Sequence, residues 1–157
     1  MKPRVYVETS VISYLTARPS LDPIVFGQQE LTRSWWANGA ALLDLCCSTV
    51  VWEEASRGDP QAAALRLLQL ENLVELPVTQ DAVDLAQQLL KDGALPAQAY
   101  DDALHVAVCA VNGVDILVTW NCKHIANVTM YGVIEKTCRN CGFDPPRICT
   151  PVELWGM

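Results

Sequence analysis

Four side chains in this 157-residue sequence have types and surroundings suited to metal-assisted chemistry: Glu8, Glu54, Asp102 and Asn121. Three carboxylates and an amide offer only hard oxygen donors, a set that suits Mg2+ or Mn2+ and not Zn2+. Clustered carboxylates repel one another, and a divalent cation removes that penalty. Each residue also has an ordinary reading. Asp102 in the first turn of a helix favours the helix dipole, Glu54 beside Glu53 is a solvated charge on a surface helix, and Asn121 is a turn former after a strand. Glu8 resists such a reading, because it ends an apolar strand of the parallel type, where ligands bind.

The elements that must position these residues can be read from the pattern. Arg4 to Val7 is a β-biased run, and Thr9 and Ser10 supply hydroxyls that cap a helix start, so a strand-to-helix turn falls at Glu8. Residues 17–23 carry two prolines and read as a loop, followed by helical spacing from Ile24 to Asn38. Leu42 to Ser48 is a buried strand, and Thr49 to Ser56 is a brief helix closed by Arg57 and Gly58. Asp59 before Pro60 starts a helix that runs to Leu70. A strand near Leu73 to Leu76 precedes a helix from Thr79 to Asp92, stopped by Gly93. Asp101 to Val111 is apolar on every face except its first turn and His105, which makes it a buried helix. Ile116 to Thr119 is a short strand, Tyr131 to Cys141 a helix and Arg147 to Cys149 a last strand, before a capping box at Thr150 to Glu153. Short buried strands alternating with helices predict a single α/β domain over residues 1–157 with a mainly parallel sheet. All four candidates then converge on the carboxyl edge of that sheet.

Composition narrows the function classes. The net charge is −7 with 51% hydrophobic and 18% charged residues, which excludes disorder and argues against simple charge-driven binding to nucleic acid. The richest apolar stretch, Ala103 to Trp120, is interrupted by His105, Asn112 and Asp115, so no membrane span is expected. The first residues lack the apolar segment of a secretory signal, and the expected location is cytoplasmic. The seven cysteines are then reduced and read as small core residues.

The ordered blocks carry a resemblance. VYVETSVISYL resembles the opening of the PIN-domain superfamily of metal-dependent ribonucleases. VWEEASRGDP resembles its second block, with Glu54 at the family's helix glutamate, and AYDDALHVAVCAVNGVDILVTWNCKHIAN its third and fourth, with Asp102 and Asn121 at the acidic positions. The stretch from Gly142 to Leu154 is similar to the tail of a VapC-like subgroup. The resemblance spans nearly the whole chain and implies a three-layer α/β/α PIN-like domain.

The implied activity is hydrolysis of RNA phosphodiester bonds with Mg2+ or Mn2+ by a toxin paired with a small antitoxin, forming a homodimer. It makes Glu8 and Asp102 direct metal ligands, and Glu54 and Asn121 ligands directly or through water. Thr9, Ser10 and Thr119 would orient ligands or phosphate, and Asp101 is a further candidate whose ordinary reading is a helix cap. Two positions depart from the family: Glu8 stands where Asp is usual, and Asn121 replaces an acid with an uncharged carbonyl donor. The four positions thus carry −3 where four acids would carry −4. A degenerate PIN domain that binds RNA or protein without cutting is the alternative.

Other signals are weak. No glycine-rich phosphate loop or G-x-S-x-G elbow is present. His105 and His124 read as packed or hydrogen-bonded residues rather than ligands. Cys138 and Cys141 form a lone C-x-x-C with no second pair to make a zinc site. Trp35 and Trp36, with Ile24, Phe26 and Leu31, read as core or as a hydrophobic interface; in VapC-like proteins this early helical region helps to hold an antitoxin. An RNA path would use local cations such as Arg18, Arg57 or Lys123.

Overall fold

The computed structural model describes residues 1–156. Five strands, β1 (Arg4–Val7), β2 (Asp44–Ser48), β3 (Val74–Leu76), β4 (Ile116–Val118) and β5 (Arg147–Cys149), form one parallel sheet in the order β3-β2-β1-β4-β5. In the central strand, β1, the residues Val5, Tyr6 and Val7 are all completely buried.

The connections are helical, as parallel strands require. Helices α1 (Thr9–Thr16), α2 (Pro23–Asn38), α3 (Thr49–Ala55) and α4 (Pro60–Leu70) lie between β1 and β3. Helices α5 (Gln80–Lys91) and α6 (Tyr100–Val111) join β3 to β4, α7 (Tyr131–Asn140) joins β4 to β5, and α8 (Pro151–Leu154) ends the chain. The chain steps outward from β1 to β3, then crosses back to build β4 and β5. Right-handed crossovers taken in opposite directions put the two helix groups on opposite faces, giving three layers. In keeping with this, α1 packs on α2, α3 and α4, while α5 packs on α6 and α7.

Local chemistry explains the boundaries. Asp22 and Asp59 each cap a helix whose first residue is proline, accepting from Ile24 N and Ala62 N. Thr79 caps α5, and Gly93 ends it at φ +76°, a conformation costly for any residue with a Cβ. Thr150 and Glu153 form the expected capping box. Residues 103–110 of α6 are buried without exception, so the helix is sandwiched rather than amphipathic.

Several expectations require correction. The cap of α1 is Glu8 itself, whose carboxylate accepts from Ser10 N, rather than the Thr9 or Ser10 hydroxyl. Asp101 is no helix cap: Ala99 holds the N-cap position of α6 with no side-chain bond, and Asp101 lies in the first turn, 3.8 Å from Arg57. The run from Leu42 divides into a 3-10 turn at Ala40–Leu42 and a strand that starts at Asp44. Cys46, Cys47, Cys109 and Cys138 are core residues, but Cys122 and Cys141 are exposed. Trp35 is buried, whereas Ile24 and Phe26 at the start of α2, and Leu21 just before it, are exposed.

Candidate active site

Strand order reverses at β1, with β2 on one side and β4 on the other. In open α/β sheets ligands bind beyond the carboxyl ends of the strands at such a switch point. Glu8 follows β1 directly, and Thr119, Trp120 and Asn121 follow β4. The two strand ends are stapled together: Glu8 N donates to Val118 O at 3.1 Å, and Trp120 N donates to the Ser10 hydroxyl at 2.8 Å.

Glu8 is 4% exposed, and three hydrogen bonds hold its carboxylate. Its Oε1 accepts from the hydroxyls of Ser10 and Thr119, and its Oε2 accepts from Ser10 N at 3.1 Å. Three donors thus surround the carboxylate, which compensates for burying a polar group. Thr119 Oγ1 also accepts from Asn121 N at 2.9 Å, tying the turn after β4 to the same carboxylate.

Glu54 reaches the same edge from α3. Its Oε1 accepts from Thr9 Oγ1 at 2.6 Å and from His105 Nε2 at 2.5 Å. Ligand atoms of Glu8, Glu54 and His105 lie within 4.8 Å of one another, the one such group among the described residues. Burial pushes the Glu54 carboxyl up, but the His105 bond, its charge, the Thr9 hydroxyl and Arg57 outweigh this and hold it below the ordinary range. For His105, completely buried, desolvation works against the charged form, yet the Glu54 bond and the negative charges of Glu8, Glu54 and Asp102 raise its pKa. Both shifts run in the direction that favours a carboxylate facing a protonated imidazole.

Asp102 lies one helical turn before His105 on α6 and so shares its face. It stands outside the 4.8 Å group, and its Oδ2 is bonded to His124 Nδ1 at 2.8 Å. Asn121 does what its turn reading implied: its Oδ1 accepts from His124 N at 3.1 Å, and its backbone carbonyl accepts from Ile125 N and Ala126 N. Its carbonyl oxygen is thus already in use. Asp101 points its charge toward Arg57.

Both histidines are hydrogen-bonded, as expected, but each is bonded to a candidate carboxylate. Two residues escaped the sequence reading: Tyr6 and Ser48. The Tyr6 hydroxyl bonds both His105 Nδ1 and Ser48 Oγ at 2.7 Å. The signal was present in the spacing, since Tyr6 is two residues before Glu8 on a strand and points to the same side.

The donor set fits a hard divalent cation. Glu54 Oε2 and Asp102 Oδ1 have no hydrogen-bond partner among the described residues, and Glu8 uses three of about four lone-pair sites. His105 has both ring nitrogens bonded to protein and offers no free lone pair.

No protein-family model and no curated protein sequence matches the chain. Among solved structures it is similar to Mycobacterium tuberculosis VapC20, described as a sarcin-ricin loop cleaving toxin. That likeness has a TM-score of 0.58 and 16% identity over 90% of this chain and 99% of the other. It is also similar to VapBC2 from Rickettsia felis, described as bound to a DNA fragment from its promoter, with a TM-score of 0.56 and 13% identity over 94% and 98% of the two chains. The parallel five-stranded sheet, its strand order and these near full-length superpositions establish that the chain has the VapC-like PIN-domain fold.

Proposed function

We propose that the chain is a metal-dependent endoribonuclease that hydrolyses RNA phosphodiester bonds, and that it acts as the VapC-like toxin of a toxin–antitoxin pair. The observation that carries this reading is the convergence of Glu8 and Glu54, from β1 and α3, at the topological switch point of a sheet with the fold of VapC toxins. The RNA substrate, a small antitoxin partner, a homodimer and a cytoplasmic location belong to the same proposal. No helix among the described residues is long and apolar enough to cross a membrane.

In this reading Glu8, Glu54 and Asp102 hold Mg2+ or Mn2+, with Asn121 contributing at most through water. The bound cation supplies charge neutralisation at the phosphate and a water of lowered pKa. Glu8 is held ready by Ser10 and Thr119, and Glu54 by Thr9 and His105, so neither carboxylate reorganises when the ion enters. Arg57 and Lys123 are the nearby cations for the RNA backbone.

Incubation of the purified protein with Mn2+ and structured RNAs, beside an Asp102→Asn control, tests the proposal. Cleavage by the parent and its loss in the variant are expected; equal background in both would overturn it. The binding-only reading is favoured by one observation, the commitment of Asn121 Oδ1 to His124 N. It predicts no stabilisation by millimolar Mg2+.

A further inference from the structure

We propose that His105 is a positioning residue for Glu54: it takes one carboxylate oxygen and so presents the other, Oε2, to the cation. The inference rests on the metal-site reading above. It goes beyond that reading by assigning a role to a side chain that touches neither metal nor RNA.

The geometry leaves His105 little else to do. It is completely buried in the middle of α6, with no route to a substrate. Nε2 is spent on Glu54 Oε1, and Nδ1 on the Tyr6 hydroxyl, which is itself bonded to Ser48. The Tyr6 and His105 rings meet edge to face with centroids 5.6 Å apart, which fixes the imidazole plane. Ser48, Tyr6, His105 and Glu54 therefore form a line of hydrogen bonds that starts at the end of β2, crosses β1 and α6, and ends on α3. Helix α3 has only seven residues, and a glutamate on it has three rotatable bonds. The Thr9 hydroxyl lands on the same oxygen as His105, so both tethers act on Oε1 and leave Oε2 without a partner among the described residues. Because α6 also carries Asp102 one turn earlier, the same helix sets the placement of both carboxylates. Removing groups that orient metal ligands typically costs about 10–100-fold in metal affinity.

Calorimetric titration with Mn2+ of the wild type, His105→Leu and His105→Gln, each first shown to be folded in chelator, tests the role. A glutamine keeps an N–H donor near the Nε2 position, whereas leucine keeps only bulk. The Leu variant is expected to bind roughly 10–100-fold more weakly, and the Gln variant to recover most of that loss. Wild-type affinity in the Leu variant, or no recovery in the Gln variant, would overturn the proposal while leaving the metal site intact. Absence of Mn2+ binding by the wild type would instead remove the metal reading and this inference together. Should the variants not fold, nitrogen-15 spectra of the wild-type imidazole decide. A hydrogen-bonded Nε2–H that persists when saturating Mg2+ is added is expected, and its loss would mean that His105 is a ligand.

Discussion

Tyr6→Phe is the sharpest probe of the buried hydrogen-bond line, because it deletes one oxygen and leaves an isosteric ring in the centre of the sheet. That oxygen makes two 2.7 Å hydrogen bonds, to Ser48 Oγ and His105 Nδ1. Both partners belong to completely buried residues, and neither atom has another partner among the described residues. A buried polar group left unsatisfied costs about 1–3 kcal/mol, and two such groups imply a loss of roughly 2–4 kcal/mol after partial relaxation. For a domain of this size that is a fall in Tm of about 5–15 °C. Urea unfolding followed by far-ultraviolet circular dichroism would show a lower midpoint with an unchanged m-value. The Ser48→Ala background supplies the control, since it removes one of the two orphans. Tyr6→Phe should cost about 1 kcal/mol less there than in the wild type. A Tyr6→Phe variant within about 0.5 kcal/mol of the wild type, or strict additivity with Ser48→Ala, would mean that the Tyr6 hydroxyl does not satisfy these two buried groups.

Three further outcomes follow from the same physics. In chelator, the Glu54–His105 pair makes stability depend on pH, within a setting that also includes Glu8, Asp102, Arg57 and Tyr6. His105 has a raised folded pKa, so its contribution is complete below the ordinary 6.5 and is lost as pH rises through the folded value. Glu54 has a depressed one, so its contribution is present above the ordinary 4.5 and is lost as pH falls through the folded value. Unfolding curves should therefore show the greatest excess stability of wild type over His105→Gln between these values, shrinking above pH 6.5; a pH-independent difference would contradict it. Gly93→Ala should cost about 1 kcal/mol through backbone strain at φ +76°, since no atom lies within 4 Å of an added Cβ, and chemical denaturation reads it directly. Thiol labelling of the native protein near pH 8 should modify Cys122 and Cys141 first. Burial pushes Cys46 and Cys138 up to about 12 and Cys47 to about 11, and it raises Cys109 well above the ordinary value, so these four buried thiols should react only on unfolding, with the half-buried Cys149, also pushed up to about 12, in between.

Much of the fold was legible because its signals are local. Asp59 before Pro60, Thr79 ahead of α5 and the Thr150 to Glu153 box mark helix starts by chemistry that needs no tertiary partner. The alternation of short apolar runs with helices then implies the parallel sheet. What the sequence concealed depends on contacts distant in the chain. Glu8 looks like the end of a strand, yet its carboxylate also caps α1 through Ser10 N while meeting Thr119, 111 residues away. Asp101 sits where a cap is common, but Ala99 holds that position and leaves Asp101 to face Arg57. The histidines look alike in sequence, and only packing assigns His105 to Glu54 and His124 to Asp102.

The overall acidity takes on a different meaning in this light. A net charge of −7 argues against an electrostatic grip on RNA, but three of the negative charges, Glu8, Glu54 and Asp102, belong to the edge where a cation would offset them. A crystal soaked in Mn2+ and measured by anomalous scattering reveals directly whether this edge holds a divalent metal ion. An anomalous peak is expected within bonding distance of Glu54 Oε2, with Glu8 and Asp102 oxygens completing the protein ligands and His105 still bonded to Oε1. A well-ordered soaked crystal with no peak at that edge, or a peak ligated by His105 in place of Glu54, would contradict it.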